Sequence, residues 1–174
     1  VAEPLSNGML CTTCHDSMPE FTRRAVDEVE FPSGAVVSFG EADDSNLCLN
    51  CHQGRQAAVS VNSAIAGLDP DTVSDKLRFL NVHYFAAGAT LLGTEAQGAY
   101  EYDGQIYNDR FAHVPGFDSC IQCHDTHGLE VKMEACSACH AGAEDSEDIR
   151  MNTTDFDGDG DTDEGMAGEV ETLS

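Results

Sequence analysis

Cys120-Ile121-Gln122-Cys123-His124, followed by Cys136-Ser137-Ala138-Cys139-His140, places two Cys-x-x-Cys-His motifs sixteen residues apart. The same pattern occurs twice earlier, as Cys11-Thr12-Thr13-Cys14-His15 and Cys48-Leu49-Asn50-Cys51-His52, and the four copies use all eight cysteines of the chain. Two thiols separated by two residues, with a histidine directly after, form the attachment site of a c-type haem. Both sulfurs reach one porphyrin edge as thioethers, and the histidine lies under the iron as its proximal ligand. Chance placement of His after all four pairs, with seven His in 174 residues, has odds on the order of one in a million. The motifs therefore predict four covalently bound haem c groups, with His15, His52, His124 and His140 as proximal iron ligands. A zinc ribbon of paired cysteines has no need of a histidine after each second Cys. A disulfide framework scatters its cysteines, and a thioredoxin-like site needs one such pair on a βαβ unit.

Composition supports a chain that borrows its apolar bulk. It has no Trp, 7% aromatic residues and 16 Gly, with a mean hydropathy of −0.30. Four haems would supply the missing core. The expected fold is mostly irregular, with short α-helices and one or two small β-hairpins, wrapped around a stack of four c-type haems. Domain organisation is expected as a tetrahaem domain over 1–143 and an acidic segment over 144–174. The 32 acidic against 8 basic residues give a net charge of −24, which disfavours nucleic acid and anionic lipid as partners. Basic protein surfaces, metal ions and ferric minerals fit better, although a solvated acidic surface also serves solubility alone. The longest apolar stretch, Phe85 to Gly93, is too short and glycine-interrupted for a membrane span. Val1-Ala2-Glu3-Pro4 reads as a mature amino terminus after removal of a signal peptide. Haem c is attached outside the cytoplasm, so the expected location is extracellular or at the cell surface, with the periplasm as the alternative.

Between the motifs, Pro32-Ser33-Gly34 flanked by apolar residues predicts a small hairpin. Residues 55–80 predict two helical segments split at Asp69-Pro70, the first with Val59, Asn62 and Ala66 on one face and the second with Val73, Leu77 and Leu80. Tyr100 to Tyr107 predicts a hairpin around Asp103-Gly104. The sixteen-residue spacing of the last two motifs makes their haems neighbours. The 69 residues from Cys51 to Cys120 leave room to travel along the stack.

Four six-coordinate irons need four distal ligands, and after the proximal histidines only His83, His113 and His127 remain. Sharing among identical subunits adds none. Aligning His124-Asp125-Thr126-His127 with His15-Asp16-Ser17-Met18 puts Met18 in the place of His127. Methionine sulfur is a haem ligand that raises the reduction potential. Met18 is thus the candidate fourth distal ligand, ahead of Met9 and Met133. The alternative is a packing methionine and an open or water-bound iron.

The run from Asp155 to Glu164 has Asp155, Asp157 and Asp159 at positions 1, 3 and 5 of a calcium loop and Gly160 at position 6. Position 12 is Met166, so Glu164 or Glu169 must replace the usual bidentate Glu. The expected Ca2+ ligands are Asp155, Asp157, Asp159, Asp161 and Glu164, against a plain solvated tail. Asn152-Thr153-Thr154 is a glycosylation sequon, a triplet common by chance.

The stretches 46–55, 79–90 and Cys120 through His140 resemble multihaem cytochromes of metal-reducing and syntrophic microbes, some of them similar to extracellular cytochrome filaments called nanowires. The resemblance covers about residues 10–170, and the His83 and His127 contexts are its more specific parts. It implies a coil-rich wrap around parallel and T-shaped haem pairs. Mostly bis-histidine ligation follows, with His83, His113 and His127 distal. In filament-forming relatives one distal His comes from the next subunit; Met18 departs from that pattern. The function expected is electron transfer by haem-to-haem hopping without enzymatic side-chain chemistry. The chain is read first as a head-to-tail homopolymer subunit. Its other expected partners are multihaem cytochromes and extracellular electron donors or acceptors. Like subunits at −24 repel, which calls for calcium, interface haem contacts or screening. A soluble monomeric shuttle is the alternative. A reductase with an open iron comes third, since eight Lys and Arg make an anion funnel hard to build. The closing Glu171-Thr172-Leu173-Ser174 looks like an unfinished amphipathic segment.

Overall fold

Glycines and turn-forming residues interrupt this chain so often that, in the computed structural model, its longest helices span eight residues. The structure describes residues 8–41, 43–69, 71–83, 86–110 and 112–173. Most of them are in turns and irregular backbone, as expected. Helices are α1 (Cys11–Cys14), α2 (Ser45–His52), α3 (Ala58–Ile65), α4 (Ala87–Leu92), α5 (Cys120–Cys123), α6 (Met133–Cys136) and α7 (Met166–Leu173). Strands β1 (Val29–Glu30) and β2 (Val36–Val37) pair antiparallel, with Val29 opposite Val37 and Glu30 opposite Val36. The chain divides into two compact units, one ending at Ser119 and the other beginning at Cys120.

In the first unit the Pro32-Ser33-Gly34 turn closes the hairpin, with the Gly34 N–H donating to the Phe31 carbonyl at 2.8 Å. Gly34 sits at φ 87°, a left-handed conformation that glycine adopts without a Cβ clash. Alternation in the strands buries Val29 and Val37, and together with Phe31, Leu49, Leu92 and Ala96 they form the core. The core thus ties the hairpin to α2, which carries the second Cys-x-x-Cys-His motif, and to α4. Glycine sets how closely α4 lies against α2: a Cβ on Gly88 would come within 2.7 Å of Leu49 Cδ2 and 2.9 Å of the His52 carbonyl oxygen.

Asn46 joins the same parts by hydrogen bonds. Fully buried, it accepts from the Phe39 N–H at 2.8 Å and donates to the carbonyls of Gly40 at 2.8 Å and Asp27 at 3.1 Å. One side chain therefore closes the hairpin's exit onto the helix that bears Cys48.

The second unit is built differently. Among its described residues only Glu169 and the side chain of its partner Arg150 are buried. Helix α7 lies against the 3-10 turn Ser146–Asp148, and a Cβ on Gly165 would overlap the Glu147 carbonyl oxygen.

Two local expectations are corrected. Residues 55–66 supply α3, but 71–80 is not helical. Asp71 takes φ 65° and the Thr72 N–H bonds the Asp69 carbonyl at 3.2 Å, so a turn replaces the helix start. Val73 is 98% exposed and packs on none of the described residues. At 100–107 the Asp103-Gly104 turn forms, with the Gln105 N–H on the Tyr102 carbonyl at 3.1 Å, but no ladder follows. The Tyr102 N–H is taken instead by the Tyr107 hydroxyl at 3.0 Å.

Candidate functional site

Each motif is held on a single turn of backbone. The N–H of His15 donates to the Cys11 carbonyl at 2.9 Å, that of His124 to Cys120 at 2.8 Å, and that of His140 to Cys136 at 2.9 Å. The second motif lies wholly within α2. Residues three and four apart share a face of such a turn, so each motif offers two thiols and an imidazole together. All eight cysteines are exposed or half-buried. That donor set fits covalent attachment of haem c. Each unit also leaves large apolar side chains uncovered: Val73, Phe79 and Ile106 in the first and Met151 in the second are all more than 80% exposed.

The first and third motifs are followed by the same loop. Asp16 N–H bonds the Thr22 carbonyl and Asp125 N–H the Glu130 carbonyl, each at 2.9 Å. Bridges pair His15 with Arg23 and His124 with Val131. Phe21 and Leu129 occupy the same left-handed position, at φ 52° and 59°. The first loop is one residue longer between these landmarks. Within it, His15 Nδ1 lies 2.8 Å from the Phe21 carbonyl oxygen. Donation from Nδ1–H there leaves Nε2 as the ligating atom and fixes the ring. In the third loop, the N–H groups of Gly128 and His127 bond the Asp125 carboxylate and hold it below its ordinary value.

His83 is half-buried at φ 82°, its N–H on Asn81 Oδ1 at 2.9 Å. Its neighbour Val82 accepts from the Arg55 N–H at 2.9 Å, which brings the His83 segment beside the exit of the second motif. His113 is exposed, its ring edge-on to Phe117 at 6.3 Å. His127 and Met18 are exposed on their matching loops, Met9 is exposed, and Met133 opens α6 half-buried.

The acidic loop folds on itself through Asp side chains that accept from backbone N–H groups further on. Asp155 takes those of Gly158 and Gly160, Asp157 that of Asp159, and Asp159 that of Asp161. Carboxylate oxygens of Asp155, Asp157 and Glu169 lie within 4.8 Å of one another, as do those of Asp157, Asp159 and Glu164. Asp161 instead bonds the N–H groups of Asp163 and Glu164 and belongs to neither group. Glu169, on α7, accepts from the N–H groups of Phe156 and Asp157 and pairs with Arg150, itself buried. Burial works to raise the Glu169 carboxyl, but the bonds from Arg150 and the two N–H groups outweigh it, so it lies below its ordinary value. Glu164 is pushed the other way, first by burial and then by the charges of Asp159, Asp157, Glu169 and Asp161.

Sequence reasoning passed over Asn46 as a structural residue and left Glu169 as a second choice. Polar residues are expected at the surface; the signal for Glu169 was its place beyond the loop, three residues past position 12.

No family model matches the chain, and no solved structure matches it. It is similar to the C-type polyheme cytochrome OmcB of Geobacter sulfurreducens (strain DL-1 / KN400), at 30% identity over 139 residues. That alignment covers 64% of this chain and 18% of OmcB, and OmcB of strain ATCC 51573 / DSM 12127 / PCA aligns equally. The C-type polyheme cytochrome OmcC of the latter strain is 30% identical over 135 residues, 62% of this chain and 16% of OmcC. The chain thus spans less than a fifth of the length of these curated relatives.

Proposed function

Because this chain is a relative of multihaem c-type cytochromes, we propose that it is a tetrahaem electron-transfer protein rather than an enzyme. The observation that carries the reading is that every cysteine lies within a Cys-x-x-Cys-His turn. Cys11 and Cys14, Cys48 and Cys51, Cys120 and Cys123, and Cys136 and Cys139 would hold the four haems. His15, His52, His124 and His140 would bind iron proximally, and His83, His113, His127 and Met18 would supply the distal ligands. Haem iron, when bound, supplies a one-electron couple, and four of them in one chain permit long-range transfer by hopping. The protein's part is to fix each imidazole, as the Phe21 carbonyl does for His15, and to set burial and charge around each site.

The setting proposed is extracellular or at the cell surface, as the repeating unit of a head-to-tail filament exchanging electrons with its copies, other multihaem cytochromes and external acceptors. The exposed apolar residues of both units support a surface that haems and neighbours cover. No described helix is long and apolar enough to cross a membrane. Calcium at the 155–169 loop would offset the repulsion between acidic copies, supported by the two carboxylate groups converging there. Intact mass of the secreted protein should show four haem additions. Electron microscopy with calcium and after chelation should then show ordered filaments with continuous haem density. Dispersed particles under every condition would sink the filament and leave a diffusing shuttle.

A further inference from the structure

Only eight Lys and Arg stand against 32 acidic residues, and two of the eight occupy equivalent places in the repeated loops. Arg24 donates its backbone N–H to the Cys14 carbonyl at 2.9 Å, and Lys132 donates its own to the Cys123 carbonyl at 2.8 Å. Their side chains repeat the match. Arg24 Nε and Nη2 reach the Thr12 carbonyl at 3.2 and 3.0 Å, and Lys132 Nζ reaches the Ile121 carbonyl at 2.7 Å. Thr12 and Ile121 are each the first residue between the paired cysteines. Each cation therefore grips its motif twice, at the second cysteine and between the two.

Both loops also tie their motif to the next one. Arg23 forms an ion pair with Asp44, directly before α2 and the second motif. The Lys132 carbonyl accepts from the Ala135 N–H at 2.9 Å, at the start of α6 and the fourth motif. The fourth motif, in contrast, is followed by Glu144, Asp145, Glu147 and Asp148 before any basic residue.

We propose that Arg24 and Lys132 are positioning residues that raise the reduction potentials of the first and third haem sites above that of the fourth. The inference rests on haem attachment at the motifs. Reduction of a haem iron adds one electron and lowers its positive charge, so a fixed cation beside the site favours the reduced form. The acidic chain otherwise favours the oxidised form at every site. Lys132 is half-buried and Arg24 exposed, so water and salt screen Arg24 more.

The test is a spectroelectrochemical titration of the full-length haem-loaded protein, with haem number checked by intact mass. Lys132→Gln keeps a donor for the Ile121 carbonyl and removes the charge; Lys132→Arg keeps the charge. The expected result for Lys132→Gln is a fall of about tenfold in the reduction equilibrium constant of one haem, which is about 59 mV for one electron. Arg24→Gln should give about a threefold fall at a different haem. Lys132→Arg and Arg24→Lys should leave the potentials in place, and both neutral-variant shifts should shrink as salt is added. Unchanged potentials in the neutral variants, or equal shifts in the charge-keeping ones, would overturn the inference and leave a purely structural clamp. Should Lys132→Gln fail to load its third haem, Arg24→Gln at the exposed site decides. A wild-type protein without four haems would instead overturn the electron-transfer reading itself.

Discussion

Replacing Asn46 with Ala should unfasten the helix that carries the second haem motif. The change removes an acceptor from the Phe39 N–H and a donor from the Gly40 carbonyl, both at 2.8 Å. The Asp27 carbonyl keeps a second donor in the Ser38 hydroxyl and the Gly40 carbonyl keeps one in the Asp43 N–H at 3.1 Å, so of these backbone groups only the Phe39 N–H loses its partner. A buried group left without its partner costs about 1–3 kcal/mol. Water entering the vacated space offsets part of this, and the net loss should be about 2 kcal/mol, or about 4–8 °C in Tm for a chain of this size. Urea unfolding of the haem-loaded protein, followed by far-UV circular dichroism, measures the loss. Two units need not unfold together, so limited proteolysis should locate it before residue 119. Asn46→Asp is the second arm. Its carboxylate still accepts from Phe39 but faces the Gly40 and Asp27 carbonyls with lone pairs alone, and it should be at least as damaging at neutral pH. A loss below about 1 kcal/mol for Asn46→Ala, or a neutral Asn46→Asp, would refute the reasoning.

Gly88→Ala places a Cβ 2.9 Å from the His52 backbone oxygen; overpacking of about 1–3 kcal/mol exceeds the helix gain of about 1 kcal/mol. Urea unfolding should show a net loss, and a gain would show that α4 does not rest on the second motif. In the calcium-free second unit, the raised Glu164 makes the folded form bind more protons than the unfolded one. Its stability should therefore rise as pH falls from neutral toward the ordinary Glu value of 4.5, and then be lost below it as the depressed Glu169 and Asp125 protonate. Thermal melts should show this acid optimum after chelation and lose it in calcium, where the cation already offsets the Glu164 charge. Met18→Ala should abolish the far-red sulfur-to-iron absorption of the oxidised protein and lower one potential. Absence of that band in the wild-type protein would remove Met18 as the fourth distal ligand.

What could be read in the sequence was whatever a strict local rule specifies. The four motifs are rigid in spacing and the Pro-Ser-Gly turn asks for a left-handed third residue; α3 forms where expected, but the face predicted for it, Val59, Asn62 and Ala66, stands exposed. The second predicted helix failed at its start, where Asp71 takes a left-handed φ of 65° and the Thr72 N–H turns back onto the Asp69 carbonyl; Val73 is left 98% exposed. Asn46 and Glu169 were hidden because their roles are set by which backbone groups come to them, from 27–40 and from 156–157. The kinship of Arg24 with Lys132 was masked by the extra residue in the first loop, and only the closed backbone restores it.

These two kinds of information divide the molecule along a physical line. The first unit has a small core of its own, and its contacts follow from burying Phe31, Leu49 and Leu92. The second unit buries one carboxylate and its arginine and no apolar side chain among those described. Hydrophobic burial within the chain cannot then be what holds it, since burial of that kind is what normally offsets the entropy of ordering a chain. The proposed function supplies two kinds of group that the polypeptide does not contain: haems at the third and fourth motifs, and a cation among Asp155, Asp157, Asp159, Glu164 and Glu169. The same arrangement gives Lys132 its position, fastened at Cys123, Ile121 and Ala135 at once. On the proposed function, short polar clamps set where those cofactors stand, and two of the eight Lys and Arg, Arg24 and Lys132, form such clamps.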